Sequence, residues 1–263
     1  MSSFLDTMLA RAKADKQTIV LPEGDDPRTL EAAETILAQG VANLIILGNV
    51  AAIKESGRKL DGATLIDPQD SDLHDEFANT LYELRKHKGM TLEQAAEKMR
   101  DVLFFGVLMV KTGRADGMVS GACHSTGDVL RPSLQILKTA PGVKLVSSFF
   151  IMVVPNCEYG QNGTFLFSDC GLEIQPDAEK LAHIAVNSAQ SWKTLIGTEP
   201  VVAMLSHSTY GSAKNDDANK VVEAAAIARE LAPELALDGE LQADAAMVPS
   251  VGASKAPDSK VAG

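Results

Sequence analysis

Short β-branched apolar runs alternate with longer amphipathic stretches along almost the whole chain, and no other feature constrains the fold as strongly. A continuous apolar run is buried on both faces, as in a parallel sheet, and parallel strands need a crossover segment, usually helical, between them. The class expected is therefore α/β. TIVLPEG reads as a buried strand and turn, DDPRTLEAAETILAQG as a helix capped by Asp25 or Asp26 and ended by Gly40, and NLIILG as the next strand. TLIDPQD is a third strand candidate, followed by two amphipathic helices, LHDEFANTLYELRKHKG and LEQAAEKMRDVLFFGVLMVKTG, with Thr91 and Gln94 spaced as a capping box. GMVSGA reads as a strand and DVLRPSLQILKTA as a helix, which Pro141 and Gly142 stop.

A domain boundary is expected there, giving a first α/β domain over 1–142 and a second over 143–263. In the second, SSFFIMVVPN and GTFLFSDCGL flank the turn residues CEYGQN as a hairpin. DAEKLAHIAVNSAQSWKTLIG is a helix, VVAMLS a strand, DANKVVEAAAIARELAP a helix and ELQADAAMVP a last strand region. The small polar end SVGASKAPDSKVAG is expected to fray.

Composition narrows the function classes. With 24 Lys and Arg against 35 Asp and Glu the formal charge is −11, which disfavours general nucleic-acid binding, since that needs a basic face and this chain has none in bulk. The apolar run Val102–Val110 has about half the roughly 18 residues of a membrane span, and the start MSSFLDTMLARAKADK has no secretory apolar core. Three cysteines without CxxC spacing indicate neither a disulfide framework nor a zinc cage, so a cytoplasmic protein is expected. No metal is expected: His124 and His207 lack a companion carboxylate pattern. Cys123 and Cys170 read as small buried side chains rather than nucleophiles.

Two loops carry the residue types that phosphate chemistry needs. Where charge develops on a phosphoryl or acyl group, backbone N–H donors, hydroxyls and a cation must converge, and a helix N-terminus after a strand supplies the first of these. GMVSGACHSTGDVLRP offers a strand, a loop with His124, Ser125, Thr126 and Gly127, and a helix from about Asp128 that carries Arg131 one turn in. Helix capping by Ser125, Thr126 and Asp128 explains the same residues equally well. VVAMLSHSTYGSAKNDDANK places Ser206, Ser208, Thr209, Tyr210 and Ser212 before Lys214, with a polar loop capped at Asp216 or Asp217 as the plainer account. Arg85, Lys86, His87 and Lys88 form a dense basic cluster that could focus a polyphosphate or simply oppose a helix dipole.

The ordered blocks VLPEGDDPRTLEAA, ELRKHKGMT, ADGMVSGACHSTGDVLRPSLQILKTAPGVKLVSS, TFLFSDCGL, AMLSHSTYGSAK and DGELQADAAMVP together resemble the phosphate acetyltransferase family, from about residue 17 onward, and the long central block is the specific part. The resemblance implies two three-layer α/β/α domains with an interdomain cleft, related to the isocitrate and isopropylmalate dehydrogenase architecture, and a homodimer. It implies reversible acetyl transfer between acetyl-CoA and inorganic phosphate, with coenzyme A as substrate and no resident cofactor. It makes Arg131 and Ser125 the catalytic pair, Arg131 as ligand of the phosphate with Ser125 and Thr126 hydrogen-bonding beside it, and Arg85 the arginine for the CoA phosphates or the transferred phosphate. Ser206, Ser208, Thr209 and Lys214 are the substrate contacts it implies in the second loop.

In that family the chain runs on past VAG through another strand and helix, so the resemblance implies that a sequence stopping at Gly263 is truncated. The part beyond would carry a serine–arginine pair and the aspartate that acts as general base on the CoA thiol. Phosphate butyryltransferase is the enzymatic alternative, because the acyl pocket differs by a few side chains. A chain that binds these ligands without turnover is the non-enzymatic one. A dehydrogenase of the related architecture is disfavoured by the lack of GxGxxG after a strand and of a carboxylate trio for a divalent ion.

Overall fold

The computed structural model describes residues 4–263, and these fall into two units, one ending at Lys138 and the other running from Thr139 to Gly263. In the first unit the apolar runs become parallel strands β1 (Thr18–Leu21), β2 (Asn43–Leu47), β3 (Thr64–Ile66) and β4 (Gly117–Met118). Between or beside them run α1 (Phe4–Ala14), α2 (Pro27–Gln39), α3 (Val50–Glu55), α4 (His74–Arg85), α5 (Leu92–Lys98), α6 (Val102–Lys111) and α7 (Thr126–Ile136).

Strand residues alternate between two cores, which is why the runs are apolar throughout. Leu21, Leu44 and Ile46 pack with Leu30, Ala33 and Ile53 of α2 and α3. Val20, Ile45 and Leu47 pack on the other face with Phe77, Phe105 and Leu108 of α4 and α6, where Phe77 and Phe105 meet edge to face at 4.9 Å. Local signals set the ends. Asp26 caps α2 and Gly40, at φ 65°, closes it, while Thr91 and Gln94 form the reciprocal capping box of α5.

The sheet order is β3-β2-β1-β4. Chain progress runs outward from β1 to β3 and then returns to the far side of β1, so the loops after the neighbouring parallel strands β1 and β4 leave the same, carboxyl, end of the sheet at the point where the direction reverses. Open parallel sheets bind ligands at such a switch point.

In the second unit, β5 (Phe149–Val153) and β6 (Thr164–Ser168) form an antiparallel hairpin, and β7 (Val201–Leu205) pairs in parallel with β8 (Ala236–Leu241). The helices are α8 (Ala178–Ile196), α9 (Asp216–Leu231), α10 (Ala243–Met247) and α11 (Pro249–Lys255). Met204 and Leu237 pack against the alanine-rich faces of α8 and α9, and Leu241 packs with Ala246, Ala256 and Val261.

Several sequence expectations need correction. The stretch from Leu92 to Gly113 is two helices, because the Asp101 carboxylate accepts from the N–H groups of Leu103 and Phe104 and restarts the helix. The strand at GMVSGA is only two residues long. ADAAM is helix α10 rather than strand, and the end is not frayed, since Gly252, Ala256 and Val261 are buried and the Gly263 N–H donates to the Ala245 and Ala246 carbonyls. α9 is capped by Asn215, not by Asp216 or Asp217.

Candidate functional site

At the switch point the loop after β4 is gathered round one buried side chain. Glu23, the second residue after β1, is 4% exposed. Its Oε2 accepts from the main-chain N–H groups of Gly121 and Ala122, each at 2.8 Å, and its Oε1 from those of Cys123 at 3.0 Å and His124 at 3.1 Å. The His124 ring adds Nδ1 at 2.7 Å from Oε1. Gly121 sits at φ 113°, a backbone that a side chain would strain, and this turns consecutive N–H groups inward. Beneath them Gly24 lies against β2, where a Cβ would come 2.5 Å from the Leu47 carbonyl oxygen.

Burial alone would raise the Glu23 carboxyl, but hydrogen bonds from Cys123, the His124 ring, Ala122 and Gly121 outweigh it and hold the group well below the usual carboxylate range. Arg28, on the first turn of α2, pairs with Asp26 at 2.7 Å and also donates to the Ala122 carbonyl, so it braces this loop from outside. Sequence reading missed both Glu23 and Arg28. The available signal was an acidic residue directly after an apolar strand, followed by DDPR at a helix start.

The loop leads straight into α7. Ser125 is its N-cap and shares a capping box with Asp128: the Ser125 hydroxyl donates to Asp128 Oδ2 at 2.6 Å and the Asp128 N–H donates back at 3.3 Å. Asp128 is held below its ordinary range by that hydroxyl first. The N–H groups of Thr126 and Gly127, the Thr126 hydroxyl and the Arg131 guanidinium make no hydrogen bond among the described residues, and all three residues are exposed. Arg85 ends α4, which packs against α7, and its Nε is buried without a partner among the described residues; so is the Ser120 hydroxyl just after β4. The structure thus brings Ser125, Thr126 and Arg131 together on one helix start and puts Arg85 on an adjacent helix.

Cys123 Sγ, His124 Nδ1 and Glu23 Oε1 lie within 4.8 Å of one another. The set fits a metal poorly, because Oε1 already accepts the main-chain N–H groups of Cys123 and His124 and lies 2.7 Å from the His124 ring nitrogen. Burial, and then the hydrogen bond to Glu23, push the Cys123 thiol up, away from a reactive thiolate.

The second loop repeats the device. Glu240, 3% exposed in β8, accepts from the Ser208 hydroxyl at 2.9 Å and the Gly211 N–H at 2.6 Å. Ser208 is fully buried and Thr209 is 5% exposed. The Thr209 hydroxyl donates to Gln242 Oε1 and accepts from the Gln242 N–H. These two residues brace the loop internally, whereas Ser206 is half-buried and Lys214 exposed, with no ion pair for Lys214 among the described residues.

The description that matches this chain is phosphate acetyl/butaryl transferase, a family whose profile covers residues 3–263. A phosphate acetyltransferase of Acetivibrio thermocellus is 55% identical over 263 residues, which span 99% of this chain and 79% of that protein. One from Thermoanaerobacterium thermosaccharolyticum is also 55% identical, over 99% of this chain and 80% of its own length. A phosphotransacetylase structure from Streptococcus pyogenes aligns at a TM-score of 0.91 and 44% identity, over 100% of this chain and 80% of that one.

Proposed function

The chain belongs to the phosphate acetyl/butaryl transferase family, and on that premise we propose that it transfers acetyl groups reversibly between acetyl-CoA and inorganic phosphate with the phosphate seated at the start of α7. The acetyl substrate follows the curated relatives, which are acetyltransferases at 42–55% identity. One observation supports the seat: the first two turns of a helix at the sheet's switch point carry two N–H groups, a hydroxyl and a guanidinium that have no hydrogen-bond partner among the described residues.

In the reaction the CoA thiolate attacks the acetyl carbonyl and phosphate departs with its electron pair. Arg131 and the helix N-terminus take up the charge that develops on the leaving phosphate. Ser125 shapes the seat as its N-cap. The buried, unpartnered Nε of Arg85 supports an anion contact there. In the second loop Lys214 and Ser206 are the proposed contacts to the CoA side, with Ser208 and Thr209 holding the loop that presents them.

No resident cofactor belongs to this chemistry, since coenzyme A is itself a substrate. Two three-layer domains of the isocitrate dehydrogenase kind are the architecture that goes with this reading, and core on both faces of the β1–β4 sheet supports it. A homodimer is supported by the apolar residues that the hairpin exposes, Phe150, Met152, Val153 and Phe167. A cytoplasmic location is supported by three free cysteines, and no described helix is long and apolar enough to cross a membrane.

The test is acetyl phosphate formation from acetyl-CoA and phosphate. Arg131→Ala should lower kcat/KM by about 10²–10³, the usual loss for a donor to developing charge. Undiminished turnover in that variant would remove the phosphate from α7.

A further inference from the structure

The contacts around Glu23 determine more than the shape of the loop. A carboxylate held ionised offers only lone pairs, so the ring atom 2.7 Å from its Oε1 has to carry a hydrogen. The main-chain N–H of His124 donates to the same oxygen at 3.1 Å, so backbone and ring of one residue are clamped together. This leaves Nε2, on the opposite side of the ring, with no hydrogen bond among the described residues, in a side chain that is one-third exposed. His124 is the residue immediately before the N-cap of α7.

We infer that Glu23 is a positioning residue that fixes the hydrogen of His124 on Nδ1, so that the outward Nε2 contacts the phosphate at the start of α7. The inference deepens the acetyl-transfer reading and rests on it for the identity of the anion. Both charge states of the ring suit that ligand. A neutral ring accepts from the P–OH that inorganic phosphate carries near neutral pH, and a charged ring donates to a phosphate oxygen. The other nitrogen tautomer would face Glu23 with a lone pair against a carboxylate.

The test uses the full chain labelled with ¹⁵N-histidine, His124 being assigned by the signal that His124→Asn removes. Long-range ¹H–¹⁵N spectra should show Nδ1 protonated in the neutral ring, and inorganic phosphate should shift the Nε2 resonance. An Nε2–H tautomer, or an Nε2 signal that phosphate leaves unmoved, overturns the inference.

Kinetics give a second arm. In His124→Asn the side-chain amide stands where Nδ1 was and keeps the bond to Glu23, but nothing replaces Nε2. Stability should hold while kcat/KM for phosphate drops at least about tenfold, the worth of one charge-assisted hydrogen bond. Full activity there means that the ring is only a brace and refutes the contact. Glu23→Gln, which turns an amide NH₂ toward converging donors, should release the tautomer and cost roughly 10- to 100-fold, as loss of an orienting carboxylate does elsewhere. Should Glu23→Gln fail to fold, the spectra and His124→Asn still decide. Wild-type protein that makes no acetyl phosphate would sink the acetyl-transfer reading, and the phosphate-induced shift would then judge the inference alone.

Discussion

Taking a carboxylate out of water costs several kcal/mol unless donors replace the lost hydration, and four main-chain N–H groups and one ring nitrogen do so at Glu23. Its folded pKa lies below its unfolded value of about 4.3, so the stabilisation is complete above that value and is lost as pH falls below it toward the folded pKa. Thermal melts between about pH 3 and 7 should therefore show a steep acid limb that Glu23→Gln makes shallower, with the variant less stable at neutral pH. An equally steep limb in the variant would assign the acid sensitivity to other carboxylates, Asp169 first, since bonds from Gly171, Ser148 and Leu172 outweigh its burial as well. The arginine and the helix-start residues of the site were legible because they sit in one contiguous block, CHSTGDVLRP. Glu23 was not, because its partners are 98 to 101 residues away and an acid after a strand looks locally like part of a turn.

At the scale of elements, the contacts of α7 give Ser125 a capping role, and variants tell whether it has a catalytic one as well. Its hydroxyl is engaged with Asp128, and the geometry makes the pair a cap that keeps the Thr126 and Gly127 N–H groups in line. Ser125→Ala should cost about 1 kcal/mol in urea unfolding, while Ser125→Gly costs a few tenths. Activity should fall in the same order, and only modestly. A large kcat loss shared by both variants, without matching destabilisation, would instead make the hydroxyl a participant in the chemistry. Caps also explain what was readable in the elements. Asp26 with Gly40 and Thr91 with Gln94 are local signals and were found at or near their places. The break between α5 and α6 was not visible, because apolar spacing continues across Asp101 and only the folded carboxylate shows that it caps Leu103 and Phe104. α11 was missed for the opposite reason: its small residues give no periodicity, and Gly252 is there because a Cβ would lie 2.9 Å from the Ala245 carbonyl oxygen.

On the scale of the whole molecule the charges set a problem that the local geometry has to overcome. The chain carries 24 basic and 35 acidic residues, and both proposed substrates, coenzyme A in its acetyl form and phosphate, are anions. Long-range forces therefore oppose their approach, while Arg28, Arg85 and Arg131 act only nearby, through contacts that salt screens less. The Debye length shrinks from about 30 Å at 0.01 M salt to about 10 Å at 0.1 M. Over that range the repulsion from distant acids should fade first, so kcat/KM for phosphate should rise or stay level in a salt titration with a non-competing anion. A steep fall, of the kind that basic funnels give, would show that the cations dominate the field at long range and that the surplus of acids lies where the substrate never passes. Arg131→Gln separates the two cases, since removing a purely local contact lowers kcat/KM at every salt concentration by the same factor, whereas removing part of a steering field flattens the dependence itself.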